Sequence, residues 1–467
     1  MPAGRGWQAV AWSCGVAILV AGWVVLRWPT PLWMLTDMDG AHQLGGASQI
    51  LRGEHPFVDW HTDYGPLRYY PSAAAQWLLG RRTLSELVLA TGGYAIAYAI
   101  LFHLCWQASR RRAIAVAVLA LALLLIPWMS KYYMVLGPAV CLWAAWRYVA
   151  HPSRRARALL AAAVVVMGLS RADFGAYTAV AALVAIMTQP GSTRARAAEL
   201  GRFVALGLLF VSPWLGWLAV RGAVGRYLAD TFVTAPAHAA AMSLPFPRVE
   251  QTLPFHAPEN AVFLLFVGFY ATPAVALAVA LAPGGCADTS ERRQIVTAAV
   301  LAQALLVHCL HRSHYQHLLE AAPMSLVLFA WLTGRALFAH ARHATRGAIA
   351  VMLAVTAWAA VRVAGWPQVD VREAVATARL HAMPLDDMLA GLSAANPGHP
   401  WLEAIGYVRR CTAPGDRVVA LPPLVGVYYF ADRAFAGGQP AWSPGFFSAD
   451  ADQRRWIERV RAWSSAT

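Results

Sequence analysis

Long apolar runs recur along almost the whole of this chain, and they leave few folds open to it. A run of roughly 18 or more apolar residues is long enough to cross about 30 Å of hydrocarbon. Eleven apolar segments are read from the sequence: 8–27, 84–106, 113–128, 132–149, 158–169, 174–189, 201–220, 260–282, 295–309, 318–334 and 347–365. The pair at 158–189 is short and is interrupted by Ser170-Arg171-Ala172-Asp173-Phe174-Gly175, so those two helices need not each cross in full. Only 13% of the 467 residues are charged, against about one-quarter in a soluble domain. The expected fold class is an all-α polytopic membrane protein with about eleven transmembrane helices.

The formal charge of +14 sits in short connections between apolar segments. Arg110, Arg111 and Arg112; Arg154, Arg155 and Arg157; Arg194, Arg196 and Arg202; Arg292 and Arg293; and Arg335, Arg342 and Arg346 alternate with loops poor in arginine. The positive-inside rule places these five groups in the cytoplasm. The amino terminus is then cytoplasmic, and the chain after about residue 366 is extracytoplasmic, as in a multi-pass cell (inner) membrane protein. No basic stripe interleaved with aromatics marks a soluble face, so nucleic acid is not an expected partner; the lipid bilayer is. Residues 8–27 are read as a retained span, because no convincing small-residue cleavage site follows them. The six cysteines are scattered and lack CxxC spacing, which indicates neither a disulfide framework nor a zinc site.

This topology puts the loop 28–83, the break at 170–175, the loop 221–259, the segment 311–317 and the C-terminal part on the outer face. Polar chemistry gathered on one side suits a membrane enzyme with a single extracytoplasmic site. An alternating-access transporter is expected to bury polar residues at midplane and often to show internal repeats, and no repeat is seen. Residues 1–365 are read as the transmembrane catalytic domain. Residues 366–467 are read as a small extracytoplasmic α/β domain, with helices near 370–395 and 401–411, a strand at Arg417-Val418-Val419-Ala420-Leu421 and a last helix near 452–463.

The loop 28–83 carries Asp37, Asp39, Asp59 and Asp63 among aromatic residues. Asp37 and Asp39, two apart, can face one ligand. They either hold a divalent cation, magnesium or manganese, or divide the roles of base and orienter. Asp39 reads equally well as the N-cap of the helix that follows. Asp59 and Asp63 lie close to hydrocarbon and need a partner, for which Arg68 is the nearest candidate. Trp60, Tyr64, Tyr69, Tyr70 and Trp77 suit the headgroup level. Arg171 and Asp173 either neutralise each other across a turn or present Arg171 to an anionic lipid phosphate. In His311-Arg312-Ser313-His314-Tyr315-Gln316-His317, Arg312 with His314 or His317 can contact phosphate or sugar; the alternative is helix capping. No carboxylate or cysteine is read at ligand spacing there, so metal is not expected. Lys131, the one lysine of the chain, reads as a phosphate contact or an interface anchor. No G-x-S-x-G, P-loop or H-E-x-x-H occurs.

The Asp37-Met38-Asp39-Gly40 element, followed by ILRGEHPFVDWHTDYGPLRYYPSA, resembles the multi-pass GT-C glycosyltransferases, in particular the bacterial protein-mannosyltransferase-like family 39 branch. The resemblance is strongest over 36–80 and extends to the 170–175 break, the 311–323 segment and the stretch 408–433. It implies a catalytic acid and two interfacial helices in the first outer loop, and a polyprenyl-phosphate-linked sugar as donor. It puts Asp39 at the catalytic acid, Asp37 at the first position of the pair, Asp59 at a further acidic position, and Arg171 and Arg312 at phosphate contacts. Met38 between the two aspartates and the short C-terminal part depart from that pattern.

The implied reaction has Asp39 take a proton from an acceptor hydroxyl as it attacks the anomeric carbon, with inversion. Arg68, Tyr64, Lys131, Arg171, Asp173, Arg312, His314 and His317 form the candidate substrate-binding set. No cofactor is required, and a divalent cation at Asp37 is compatible with the scheme. The acceptor is a glycan, lipid or protein. A lipid-linked saccharide flippase or exporter, or an envelope glycan polymerase or ligase, is the alternative reading.

Overall fold

The computed structural model describes residues 3–127, 129–254, 256–338, 343–365, 368–420, 424–440, 445 and 447–464. Parts of the C-terminal stretch read above, including Leu421 of the expected strand, lie outside these residues. The chain divides into two compact units. One comprises residues 1–23, 92–212 and 244–368; the other comprises 24–91, 213–243 and 369–467.

Eleven spans are expected from the sequence; by length and composition, five helices qualify among the described residues. They are Leu84–Ser109, Thr193–Val220, Pro258–Leu281, Thr289–His311 and Arg346–Ala364. A sixth is counted if Tyr315–Ala321 and Pro323–Leu337, bent by 66° at their break, are one span. Helix length accounts for part of the difference. At about 1.5 Å per residue the 26 residues of Leu84–Ser109 reach about 39 Å, whereas the 13 of Arg112–Leu124 reach only about 20 Å. Ala172–Met187 and Arg154–Ser170 are short for the same reason, because the chain breaks between them at Arg171.

In the first unit, the helices Tyr132–Ala150, Arg154–Ser170, Ala172–Met187 and Thr289–His311 pack on one another. The break at Arg171 is a tight hairpin. Arg171 is extended (φ −158°, ψ 119°) and serves both as the end of one helix and the start of the next. Gly168 and Gly175 make the closure feasible, since a Cβ on Gly175 would stand 2.4 Å from the Gly168 Cα.

In the second unit, the loop 28–83 folds into two helices, Met38–Leu51 and Tyr70–Leu79. Their apolar side chains share a core with the C-terminal segment. Met34, Leu35, Leu44, Trp60 and Tyr69 pack with Met388, Leu392, Leu402, Ile405, Tyr428 and Phe435. The Met38–Leu51 helix approaches closely enough that a Cβ on Gly46 would meet the Tyr69 ring at 2.6 Å. The C-terminal segment itself is mostly helical, with Val371–Ala382, Leu385–Ala395, Pro400–Cys411 and Asp450–Ser464. Its β content among the described residues is one parallel pairing of Arg417–Val418 with Ala434–Phe435, less than an α/β module implies. Ala434–Phe435 lies between the short helical turns Val427–Phe430 and Ala436–Gly438, which limit its length.

His381 stitches this unit together. Its Nε2–H donates to the Pro29 carbonyl at 2.9 Å, so Nδ1 accepts from the Thr83 hydroxyl at 2.7 Å. Burial lowers its pKa from 6.5 to about 4, against a smaller opposing effect of the Pro29 hydrogen bond. The unfolded imidazole protonates near pH 6.5, while the folded one resists down to about 4. The stabilisation is therefore complete above about pH 6.5 and is lost as pH falls toward 4, by roughly 3 kcal/mol. Thermal unfolding of the detergent-solubilised protein between pH 7.5 and 4.5 should show this loss. His381→Gln should unfold earlier at pH 7.5 but with a flatter acid-side profile; an unchanged slope would count against this role for His381.

Candidate active site

Asp37 ends the extended segment before the Met38–Leu51 helix and caps it, its Oδ2 accepting from the Gly40 N–H at 3.1 Å. The expected cap, Asp39, instead lies in the first helical turn. The difference is one of register: Asp37 is the residue with extended backbone (ψ 96°), the conformation that an N-cap requires. Capping fixes the helix start and thereby the direction in which Asp39 projects.

Asp39 is held from two sides. Tyr64 donates its hydroxyl to Oδ1 at 3.0 Å. Arg68 Nη2 donates to the Asp39 carbonyl at 2.7 Å and approaches Oδ1 at 3.2 Å. The guanidinium lies 3.6 Å from the Tyr64 ring centroid and its side chain is out of solvent, whereas the Asp39 side chain keeps 21% exposure. A fully buried arginine facing a partly open carboxylate keeps that carboxylate oriented.

Arg68 thus pairs with Asp39. Asp63 pairs with His238 at 2.9 Å, a residue 175 positions away. Burial alone would raise the Asp63 pKa. The hydrogen bond and charge of His238, with His42 and Arg68, outweigh it and hold the carboxyl below its usual range. Asp59 Oδ2 accepts from the His55 N–H at 2.7 Å, closing its own turn around the buried Phe57, whose φ is 65°. Two residues outside the expected set also belong here. His42 lies against the rings of Tyr64 and Tyr69, and burial lowers its pKa to about 4, with Arg68 acting in the same direction. Glu86 accepts from Gln43 Nε2 at 2.6 Å and from the Ser72 hydroxyl.

The other unit holds its own polar cluster. Arg171 Nε donates to Asp173 Oδ1 at 2.8 Å, so the expected mutual neutralisation does occur. Asp173 Oδ2 lies 3.2 Å from His308 Nδ1. His308 Nε2 lies 3.8 Å from Glu320 Oε2, which is 3.3 Å from His317 Nδ1, and Glu320 Oε1 is 3.6 Å from Lys131 Nζ. Lys131 and Glu320 are both buried, which rules out an exposed anchoring role for the lysine. His314 caps the Tyr315–Ala321 helix, its ring accepting from the Gln316 N–H. Arg312 is half-buried and its backbone bridges to Leu244; its guanidinium makes no hydrogen bond or ion pair among the described residues.

Glu320 and His308 are missing from the expected set. Glu320 stands three residues after His317 on one short helix, a spacing that was readable. His308 is on a separate helix, and nothing in its neighbourhood marks it. The ligand-type atoms of His308, His317 and Glu320 lie within 4.8 Å of one another, a donor set that can hold a metal ion. Asp37 belongs to no such cluster of three among the described residues.

No protein-family model matches the chain, and no curated protein does. The crystal structure of ArnT from Cupriavidus metallidurans in the apo state is similar over 99% of this chain and 90% of its own. The TM-score is 0.52 and the sequence identity 15%, so the likeness is one of fold. ArnT is a GT-C glycosyltransferase. The chain has the GT-C fold. It is a multi-pass membrane protein, as its apolar helices require.

Within the GT-C fold the buried ion pair Lys131–Glu320 makes a direct test of the second cluster. Lys131→Met leaves a buried carboxylate without its cation and should destabilise the protein by about 3–5 kcal/mol. The double variant Lys131→Met/Glu320→Gln should recover most of that loss in thermal unfolding. An additive double variant would mean that the two side chains do not interact.

Proposed function

We propose that this protein is a membrane glycosyltransferase that moves a sugar from a polyprenyl-phosphate-linked donor to an acceptor hydroxyl on the extracytoplasmic face. The GT-C fold over the whole chain supports the class of enzyme. ArnT, whose fold it shares, is an undecaprenyl-phosphate-aminoarabinose transferase, which supports a lipid-linked donor. The observation that carries the assignment of Asp39 is its setting: a partly exposed carboxylate clamped by Tyr64 and the buried Arg68, at the start of a capped helix.

In this reading Asp39 accepts the proton of the acceptor hydroxyl as the oxygen attacks the anomeric carbon. The carbon–oxygen bond to the lipid phosphate breaks with inversion, and the polyprenyl phosphate leaves as an anion. Arg68 and Tyr64 keep Asp39 aimed, and Asp37 positions it through the helix cap. The step requires no cation, since the lipid phosphate is already an activated leaving group, and a divalent cation at Asp37 is compatible with it. Asp59 serves the loop rather than the reaction, through its bond to His55. Arg312 contacts the departing phosphate, for which a guanidinium without a hydrogen bond or ion pair among the described residues is suited, and Arg171 and Lys131 add positive charge. Asp173, His308, His317 and Glu320 hold those two cations in place.

Transfer from a panel of radiolabelled polyprenyl-phosphate sugars tests the reading. Asp39→Asn should reduce turnover by about 100- to 10,000-fold while donor binding persists. Arg312→Gln should weaken donor binding by roughly 10- to 100-fold, as loss of one charged hydrogen bond implies. Full turnover by Asp39→Asn would remove it as the base. Movement of lipid-linked sugar across liposomes without any transfer would favour a flippase.

A further inference from the structure

A cavity of about 380 Å³ lies within the second unit, lined by the loop residue His61, the segment around Arg226–Thr234 and the C-terminal helix Asp450–Ser464. No residue assigned above to the reaction lines it. Its volume falls within the range of small-ligand pockets, about 300–1,000 Å³.

Three guanidiniums, of Arg226, Arg455 and Arg459, line this space together with two carboxylates, of Asp230 and Asp452. The charge of His61 follows from donor chemistry. Arg459 Nη1 is 3.0 Å from His61 Nε2, and a guanidinium can only donate, so Nε2 carries no proton. The proton is on Nδ1, which donates to Asp230 at 3.0 Å, and the ring is neutral. The wall therefore keeps one positive charge in excess. Asp230 is bound by His61, and Asp452 pairs with Arg455. Burial, with the repulsion of Arg226 and Arg455, lowers the Arg459 pKa against a smaller opposing effect of Asp230. An anion entering the cavity relieves that repulsion.

The remaining wall is aromatic and fixed. The Trp456 indole N–H donates to the Ala436 carbonyl at 3.0 Å, and the ring packs so close to Gly437 that a Cβ there would stand 2.3 Å from it. Gly437 also has φ 68°, so both its conformation and its lack of a side chain are needed. A π-helical turn, Asp230–Thr234, carries the carboxylate that orients His61; such turns are rare and concentrate at functional sites. An indole wall beside guanidiniums and carboxylates is the composition that takes a sugar, with apolar C–H bonds against the ring and hydroxyls on the charged groups.

We propose that this cavity binds an anionic saccharide, a sugar bearing one phosphate or carboxylate group, with Arg455 and Arg459 on the anion and Trp456 against the sugar ring. The site stands whether or not Asp39 is a catalytic base. Calorimetric titration of the full-length protein in nanodiscs with glucose 1-phosphate, glucuronate, glucose and inorganic phosphate tests it. At least one of the two anionic sugars should bind saturably and at least about tenfold tighter than glucose and than inorganic phosphate. Arg455→Gln, at a side chain 69% exposed and so safe for folding, should weaken that binding several-fold. Arg455→Gln/Arg459→Gln should weaken it by at least about tenfold, with thermal unfolding as a control on folding, and Asp39→Asn should leave it unchanged. Glucose or inorganic phosphate binding as tightly as the tighter of the two anionic sugars, wild-type affinity in Arg455→Gln, or no saturable binding of either anionic sugar would each overturn the proposal.

Discussion

A charge taken out of water must have a partner, and both polar clusters of this chain are built on that requirement. In one unit the buried Arg68 is held by the carbonyl and carboxylate of Asp39 and by the face of Tyr64. In the other, Arg171, Asp173, His308, Glu320 and Lys131 form a chain of alternating partners, with His317 branching from Glu320. Each group stands at a helix end or near a break, where the backbone can turn a polar side chain inward without interrupting a long apolar face. Glu320 and Glu86, both buried, each meet more than one partner.

The requirement explains why the first outer segment is not a loop in the usual sense. Its helix Met38–Leu51 is capped by Asp37, packs Gly46 against Tyr69 and lends Leu44 to a core that the C-terminal segment completes. Arg52 and Arg81 both pair with Asp432, and Arg417 pairs with Glu54, so the same two stretches are tied at their surface as well. Asp39 therefore rests on a rigid support drawn from residues more than 300 positions away. Precision of this order is what a group that must meet a reacting atom needs.

Much of this was legible along the chain. The spacing of Asp37 and Asp39 marked the helix start, although which of the two caps it depended on backbone angles that spacing does not contain. Arg171 and Asp173, two apart at a break in apolar sequence, could hardly avoid each other. His317 and Glu320 stand one helical turn apart, a spacing present in the sequence itself. Arg68 was matched to Asp59 and Asp63 because they are its neighbours in sequence, yet it bonds Asp39, on the neighbouring helix. His238, His61 and Asp230 offered no signal, since their partners lie 169 to 175 residues away.

The length and placement of apolar runs determined by themselves that this protein is helical and membrane-embedded, because hydrocarbon thickness sets how many residues must be apolar in succession. The same sequence determined where the polar segments interrupt those runs, and so which residues could do chemistry. Tertiary structure alone decided which charge meets which, which helices among the described residues have full spanning length, and that the first loop shares its core with the end of the chain. The reason is physical. Periodicity is a local property of the backbone, whereas the partner of a buried charge is chosen by packing, over distances that no local pattern records.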